Sequence, residues 1–148
     1  MFFIYEVLGL IFILFSPLIF LIRIILGKEN PKRFLEKFCI YSKKPNLKKT
    51  VWLHGSSVGE ILSVIPIIQE LEKNKKISKI LLSSSTTSSA LIFSKYKFKK
   101  TTHIYFPIDT NYLTNKFINF WKPKIAIFID SEIWPNMFNN LEKNKIPI

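Results

Sequence analysis

The fold class is decided by the stretch TVWLHGSSVGEILSVIPIIQELEK, residues 50–73. Its first five residues, Thr50–His54, form the almost wholly apolar run that is typical of a strand covered on both faces of a sheet. A loop with two glycines follows. Ser57 and Glu60 then match a capping box, which predicts that a helix begins at Val58 and continues to Lys73. The stretch therefore predicts a strand, a turn and a helix, which together form the first part of a βαβ unit.

The same alternation continues along the rest of the chain. We predict further strands at Lys79–Ser84, at His103–Phe106, at Lys124–Ile129 and from Ile146 onward, with helices at Thr86–Lys97, Tyr112–Trp121 and Pro135–Lys143. Short apolar strands that alternate with helices are typical of a parallel sheet with helices on both faces. The sequence thus predicts an α/β domain with a Rossmann-like parallel sheet over residues 50–148.

The chain length and the numbers of cysteines and histidines limit the class of protein. The chain has 148 residues, enough for one domain with a real core. Cys39 is the lone cysteine, which excludes an internal disulfide and favours a reducing compartment. His54 and His103 are the only histidines, so no Cys/His zinc site is expected. We expect His54, last on its strand, to be packed or hydrogen-bonded rather than catalytic. The last residues resemble the start of another strand, so we expect a longer protein.

The N-terminus is strongly apolar. Val7–Ile22 carries no charge over 16 residues, which is about 24 Å of helix against a hydrocarbon core of roughly 30 Å. Extension to residues 1–26 gives enough length, and Glu6 and Arg23 then lie near the ends, where they can snorkel. A cleaved signal peptide is disfavoured because no positive region precedes the apolar run. We predict a membrane-anchor helix at 1–26 that either spans or lies in the interface, with a buried helix of a soluble protein as the alternative.

A basic linker is predicted at residues 27–49, with a short helix at about 32–39. The chain's net charge is +12, and nine basic residues but two acidic ones fall between Arg23 and Lys49. Such a block after an apolar segment favours an anionic membrane surface, by about 1 kcal/mol for each residue near that surface. A merely solvated surface is the alternative, and nucleic acid is the least favoured partner. If the anchor helix spans, these charges place the rest of the chain in the cytoplasm; if it only embeds, the rest is still held at the membrane surface.

Two motifs carry the functional prediction. They are His54–Glu60, HGSSVGE, and Asp130–Asn136, DSEIWPN. Each follows a predicted strand and precedes a helix, so both belong at the carboxyl edge of the sheet, where such folds bind ligands. Gly55 and Gly59 would let the backbone approach a ligand closely or adopt positive φ, and the amides at the helix start would favour an anion. Carboxylates on one rim suggest acid–base chemistry.

Helix capping is the simpler explanation for several of these residues. Glu60 is explained by its capping box alone. Asp130 or Ser131 could cap the helix that begins at Pro135, and Asp109 is expected to cap the helix that follows it directly.

Taken together, the two motifs resemble the N-terminal, acceptor-side half of bacterial 3-deoxy-D-manno-octulosonic acid (Kdo) transferases, which act in lipid A–core assembly. The shared features are the apolar N-terminus, the Arg33–Lys37 stretch, the loop His54–Glu60, the Ile65-Pro66 pair, the Tyr105–Asp109 turn and the run Glu132–Asn136. The resemblance covers essentially the whole chain in order.

This resemblance implies a GT-B architecture, in which the N-terminal domain takes the lipid A precursor and a C-terminal domain binds CMP-Kdo. The family's general base falls on Glu60 and its second carboxylate on Asp130. The motif residues expected to contact substrate are Ser56, Ser57, Gly59, Glu132, Trp134 and Asn136. The implied partners are the lipid precursor and an anionic membrane, at the cytoplasmic face of the inner membrane. No metal, cofactor or nucleic acid is implied.

Three departures from the family pattern stand out. Asp130 replaces the usual glutamate, Ser88-Ser89 replaces a glycine after the threonines, and Cys39 stands where a glycine is common. Because the donor half is missing from these residues, we expect them to bind acceptor weakly and to transfer nothing alone. Another lipid-directed GT-B glycosyltransferase and a non-catalytic membrane-bound interaction module are the alternatives.

Overall fold

The computed structural model describes residues 2–42, 50–130 and 132–148. Its helices are α1 (Phe2–Ile25), a 3₁₀ helix (Phe34–Phe38), α2 (Val58–Lys73), α3 (Thr87–Ser94), α4 (Asn111–Trp121) and α5 (Pro135–Lys143). Its strands are β1 (Thr50–His54), β2 (Lys79–Ser84), β3 (Thr101–Tyr105) and β4 (Ile125–Phe128). They form one parallel sheet in the order β3-β2-β1-β4. The predicted α/β fold class is confirmed.

The sheet separates two apolar cores. On one face, Trp52 and Leu81 are fully buried against residues of α4 and α5. On the other face, Leu53 and Leu82 are fully buried against residues of α2 and α3. Neighbouring residues of one strand thus enter opposite cores, as the two-residue period of a strand requires. The middle residues of β1 and β2 are apolar and buried because helices cover both faces of the sheet.

One face of helix α1 contacts the rest of the domain. Tyr5 donates a 2.7 Å hydrogen bond to Asp109, and a Cβ added at Gly9 would lie 3.1 Å from the Thr110 methyl group. Phe20 is buried, with its ring centroid 5.8 Å from that of Phe34. The opposite face is apolar and exposed at Leu10, Leu14, Leu18, Leu21 and Ile25. By length and composition the helix could cross or anchor to a membrane.

The basic linker is partly neutralised within the protein. Glu29 is buried and contacts both Arg23, at 3.2 Å, and Lys37, at 2.8 Å. Arg33 donates two hydrogen bonds to Glu36, of 2.7 and 2.8 Å. The predicted helix at 32–39 is a shorter 3₁₀ helix, Phe34–Phe38, and the remainder of the linker, residues 43–49, lies outside the described residues. Three of the cations proposed to attract a membrane therefore already have partners in the protein.

Several element boundaries differ from the prediction. The strand expected from Ile146 is not formed: this segment makes one hydrogen bond with β4, from the Ala126 amide to the Pro147 carbonyl. The turn at Lys145, where φ is 54°, precedes it. Helix α3 ends at Ser94 rather than Lys97. At the end of the 3₁₀ helix, Cys39 has a φ of 56°, a conformation that favours glycine.

Candidate active site

The loops that follow β1, β2 and β4 meet at the carboxyl edge of the sheet. Their meeting point is the Ser56 hydroxyl. It donates to the Glu132 carboxylate and lies 2.9 Å from the Ser85 hydroxyl and 3.4 Å from His54 Nε2. The two motifs, separated by about seventy residues in the sequence, are therefore in direct contact.

Glu132 is held as a charged acceptor. Its Oε2 lies 3.4 Å from His54 Nε2 and accepts a 3.2 Å hydrogen bond from the Trp134 indole. The His54 contact, helped by the Ser56 and Trp134 hydrogen bonds and opposed by burial, lowers the pKa of Glu132 to about 2. Glu132 is thus ionised throughout the physiological range, which suits a group that orients a hydroxyl rather than one that exchanges protons near neutral pH.

His54 connects this rim to the core. It is 1% exposed, its Nδ1 lies 2.9 Å from the Ser83 hydroxyl, and Trp52 donates a 2.8 Å hydrogen bond to that same hydroxyl. The Phe106 ring covers the imidazole, with centroids 4.1 Å apart. The prediction that His54 is packed and hydrogen-bonded is confirmed. Its buried ring holds Glu132 in place through the contact between Nε2 and Oε2.

Glu60 begins helix α2 in the predicted capping box. Ser57 accepts a 3.2 Å hydrogen bond from the Glu60 amide, and the Ser57 amide lies 3.3 Å from Glu60 Oε1. Oε1 also accepts a 2.5 Å hydrogen bond from the Ser57 hydroxyl, and Oε2 accepts one of 2.8 Å from the Ser56 amide. A carboxylate has about four acceptor positions, so one remains on Oε2. Capping and proton acceptance are therefore compatible.

The two glycines of this loop differ in their roles. A Cβ added at Gly55 would lie 3.1 Å from the Glu60 Cβ and 3.6 Å from its Oε2. A Cβ at Gly59 would meet nothing closer than the Ser57 hydroxyl, at 3.9 Å. Positive φ, one of the two predicted reasons for these glycines, is wrong for both, because neither has it. At Gly55 a side chain would crowd Glu60. Close approach of the backbone to a ligand stays a prediction for both glycines.

Asp130 lies just after β4, exposed and with a φ of 67°. Glu132 of the second motif, which was predicted to bind substrate, contacts the first motif through Ser56. The roles that the resemblance implies for Glu60, as general base, and for Asp130, as second carboxylate, stay predictions.

Asp109 has a role that its own sequence neighbourhood does not indicate. It was expected to cap α4, but Thr110 caps that helix. Asp109 instead accepts hydrogen bonds from the amides of Asn136, at 3.1 Å, and Met137, at 2.8 Å, and so caps α5. The expected cap by Asp130 is therefore wrong, and Ser131 lies outside the described residues.

Asn136 is fully buried and donates a 2.9 Å hydrogen bond to the Asp109 carbonyl. Its contact with substrate stays a prediction. In this position it fixes the loop that carries Glu132 and Trp134. No nearby residue signals this role, because the partner is 27 residues away in the sequence.

The serine-rich loop after β2 completes the rim. Ser89, one of the two residues in place of the family's glycine, is fully buried and donates a 2.9 Å hydrogen bond to the Ser56 carbonyl. It thereby ties the start of α3 to the first motif. Within residues 2–42, 50–130 and 132–148, no three His, Cys, Asp or Glu side chains are grouped as metal ligands. The absence of a metal from the reaction stays a prediction.

The chain is similar to known proteins over most of its length. Residues 32–148 match a family described as 3-deoxy-D-manno-octulosonic-acid transferase (kdotransferase). A 3-deoxy-D-manno-octulosonic acid transferase of Rickettsia bellii is 37% identical over 84% of this chain and 30% of its own length. The enzyme of the same name in Haemophilus influenzae is 26% identical over 89% of this chain and 32% of its own. A bifunctional glycosyltransferase/methyltransferase of Fusobacterium nucleatum is 30% identical over 79% of this chain and 19% of its own length.

The chain thus spans about a third of the length of the two transferases. The matched region contains both motif loops and the whole sheet. The parallel sheet and the apolar N-terminal helix are consistent with the N-terminal domain of a GT-B glycosyltransferase. The match and the fold agree with the resemblance that the two motifs carry, and the chain belongs to the 3-deoxy-D-manno-octulosonic-acid transferase family.

Proposed function

We propose that this chain is the acceptor side of an enzyme that transfers Kdo from CMP-Kdo to a hydroxyl of the lipid A precursor, lipid IVA. The observation that carries the proposal is the contact between Ser56 and Glu132, which joins both family motifs at the carboxyl edge of a parallel sheet. Ligands of open α/β sheets bind at this edge. The family to which the chain belongs supplies the reaction.

Glu60 acts as the general base in this proposal. It accepts the proton of the acceptor hydroxyl while that oxygen bonds to the anomeric carbon of Kdo. The bond between that carbon and the CMP phosphate oxygen breaks, and CMP leaves with the electron pair. The unoccupied acceptor position on Glu60 Oε2 can receive the proton from a hydroxyl at about 3 Å. Glu132 orients the acceptor through its charged oxygen, and Asp130 supports the transition state from the other loop.

Helix α1 holds this rim at the membrane. Its domain-facing side chains, from Tyr5 to Phe20, pack on the domain, whereas its outer leucines are exposed. A helix that keeps one face on its own domain embeds the other face in the bilayer interface more readily than it spans the bilayer alone. The basic residues after it favour the cytoplasmic face of the inner membrane. A lipid acceptor would then reach the rim by diffusion in two dimensions.

The proposal is tested with the full-length protein that contains this chain. We expect it to transfer Kdo from CMP-Kdo to lipid IVA and to leave other nucleotide sugars unused. Residues 1–148 alone should give no turnover, because the resemblance assigns CMP-Kdo to the second domain. Turnover of CMP-Kdo by residues 1–148 would contradict that division.

The second candidate function is transfer of a different sugar by a related lipid-directed glycosyltransferase. The similarity to the Fusobacterium protein, whose name specifies no Kdo, is the observation in its favour. Transfer of another sugar, with no use of CMP-Kdo, would establish it and reject the first.

A further inference from the structure

A cavity of about 290 Å³ lies between helix α1 and the rim of the sheet. Most of the residues that line it are apolar: Phe12, Ile19 and Phe20 from α1, Phe106, Pro107 and Ile108 from the segment after β3, and Trp134 from the second motif. The residues from Phe12 to Phe20 extend along about 12 Å of the helix. The cavity is therefore mainly apolar and follows about two turns of α1.

One end of this cavity is the candidate active site. The Trp134 ring lies 5.0 Å from that of Phe106, centroid to centroid, and its indole nitrogen donates to Glu132. Ser85, which also lines the cavity, has its hydroxyl 2.9 Å from that of Ser56. A molecule in the cavity would thus extend from the apolar surface of α1 to the residues that join the two motifs.

The charged side chains at the cavity are engaged elsewhere. Arg23 and Lys37 line it, but both contact the buried carboxylate of Glu29. Asp109 lines it too, and its two oxygens accept hydrogen bonds from Tyr5 and from the first amides of α5. The interior offers few hydrogen bonds to water, so transfer of a hydrocarbon chain into it is favourable.

We propose that this cavity binds one acyl chain of the lipid acceptor and so brings the headgroup sugar to Ser56 and Glu132. The inference rests on the proposed function, in which the acceptor is a lipid. The position of the cavity indicates its occupant. Helix α1 forms one wall of the cavity and, in that proposal, faces the bilayer with its outer leucines. The other end of the cavity reaches the polar rim. An amphiphile with a chain at one end and a hydroxylated headgroup at the other matches both parts.

Photo-crosslinking of the 148-residue chain tests the proposal without any Kdo chemistry. The probe is phosphatidylcholine with a diazirine near the end of one acyl chain, in vesicles of phosphatidylcholine and phosphatidylglycerol. After illumination, peptide mass spectrometry should find adducts on Phe106, Ile108 or Trp134, in addition to adducts on outer residues such as Leu14. Adducts confined to the outer face of α1, or no adducts, would overturn the proposal.

Two further measurements keep the result specific. Ile19→Trp fills the cavity and should reduce the cavity adducts several-fold, whereas Leu18→Trp, on the exposed face of the same helix, should leave them unchanged. If Ile19→Trp does not fold, competition on the unaltered chain decides: dodecylphosphocholine below its micelle concentration should suppress the cavity adducts, and hexylphosphocholine should not. Cavity adducts that neither the folded variant nor the competitor reduces would overturn the proposal.

The outcomes separate this inference from the proposed function. Cavity adducts in the chain together with no Kdo transfer by the full-length protein would reject the proposed function and leave a lipid-chain site. Kdo transfer without cavity adducts would reject the acyl-chain site alone.

Discussion

Cys39 is strained at the level of a single residue. Its φ of 56° places a side chain in the left-handed region, which costs about 1–2 kcal/mol for a residue other than glycine. We expect Cys39→Gly to be more stable than Cys39→Ala by about 1 kcal/mol, because both lose the buried thiol and only glycine relieves the backbone. Urea unfolding of the two variants measures the difference. The usual order, with alanine more stable than glycine, would contradict backbone strain at Cys39.

Glu132 should make stability depend on pH. Its folded-state pKa of about 2 lies below the ordinary value of 4.5, so its contribution is complete above about pH 4.5 and is lost as the pH falls towards 2. We expect Glu132→Gln to be less stable than the original chain at neutral pH, with the gap closing as the pH falls through this window. The free energy of unfolding measured at a series of pH values tests this.

Glu70→Gln is the control that shows whether the pH dependence of stability comes from Glu132 and its contacts at the rim. Glu70 is mostly exposed and forms an ion pair with Lys73 at the surface. Glu70→Gln should therefore follow the original chain over the same range. Parallel pH curves for the Glu132 variant and the original chain would show that the His54 and Ser56 contacts do not stabilise the carboxylate.

Asp109 acts at the scale of elements, since it joins helix α1 to helix α5. Asp109→Ala leaves the buried Asn136 and Met137 amides without acceptors and should cost about 3 kcal/mol. Tyr5→Phe removes only the hydrogen bond to α1 and should cost about 1 kcal/mol. Thermal or urea unfolding compares the two. Equal losses would contradict the cap on α5 as the main role of Asp109.

The outer face of α1 should determine membrane binding. Leu14 is 74% exposed in this apolar face, and loss of one buried leucine costs about 2 kcal/mol, or roughly 30-fold in partitioning. We expect Leu14→Asp to weaken vesicle sedimentation by at least this factor. Leu62→Asp, at an exposed leucine of α2, is the matched control and should sediment as the original chain does. A similar loss in both variants would indicate general misfolding.

For the whole molecule, local patterns predicted the elements well and the contacts between them less well. Thr50–His54, Lys79–Ser84, Val58–Lys73 and Pro135–Lys143 have the predicted bounds, because apolar runs, the capping box and Pro135 are local signals. The strand from Ile146 failed because a strand requires a continuous row of partners, and this segment makes one hydrogen bond to β4.

The same distinction holds for the site. The meeting of both motifs at one edge followed from parallel topology, which fixes where strands end. The identity of the joining carboxylate, Glu132, could not be predicted, because it depends on the side-chain direction in the loop. The cap that Asp109 provides for α5, and the burial of Asn136 that goes with it, also depend on packing between distant segments.

If Glu60 is the base at a rim built from both motifs, its replacement in the full-length protein should abolish most of the transfer. Kdo transfer from CMP-Kdo to lipid IVA is measured for the full-length protein with Glu60→Gln and, as the control, Glu70→Gln on the same helix. Glutamine preserves the capping box, so α2 should remain folded. We expect a loss of turnover on the order of 10² or more for Glu60→Gln and none for Glu70→Gln. Unchanged turnover in a folded Glu60→Gln protein would contradict it.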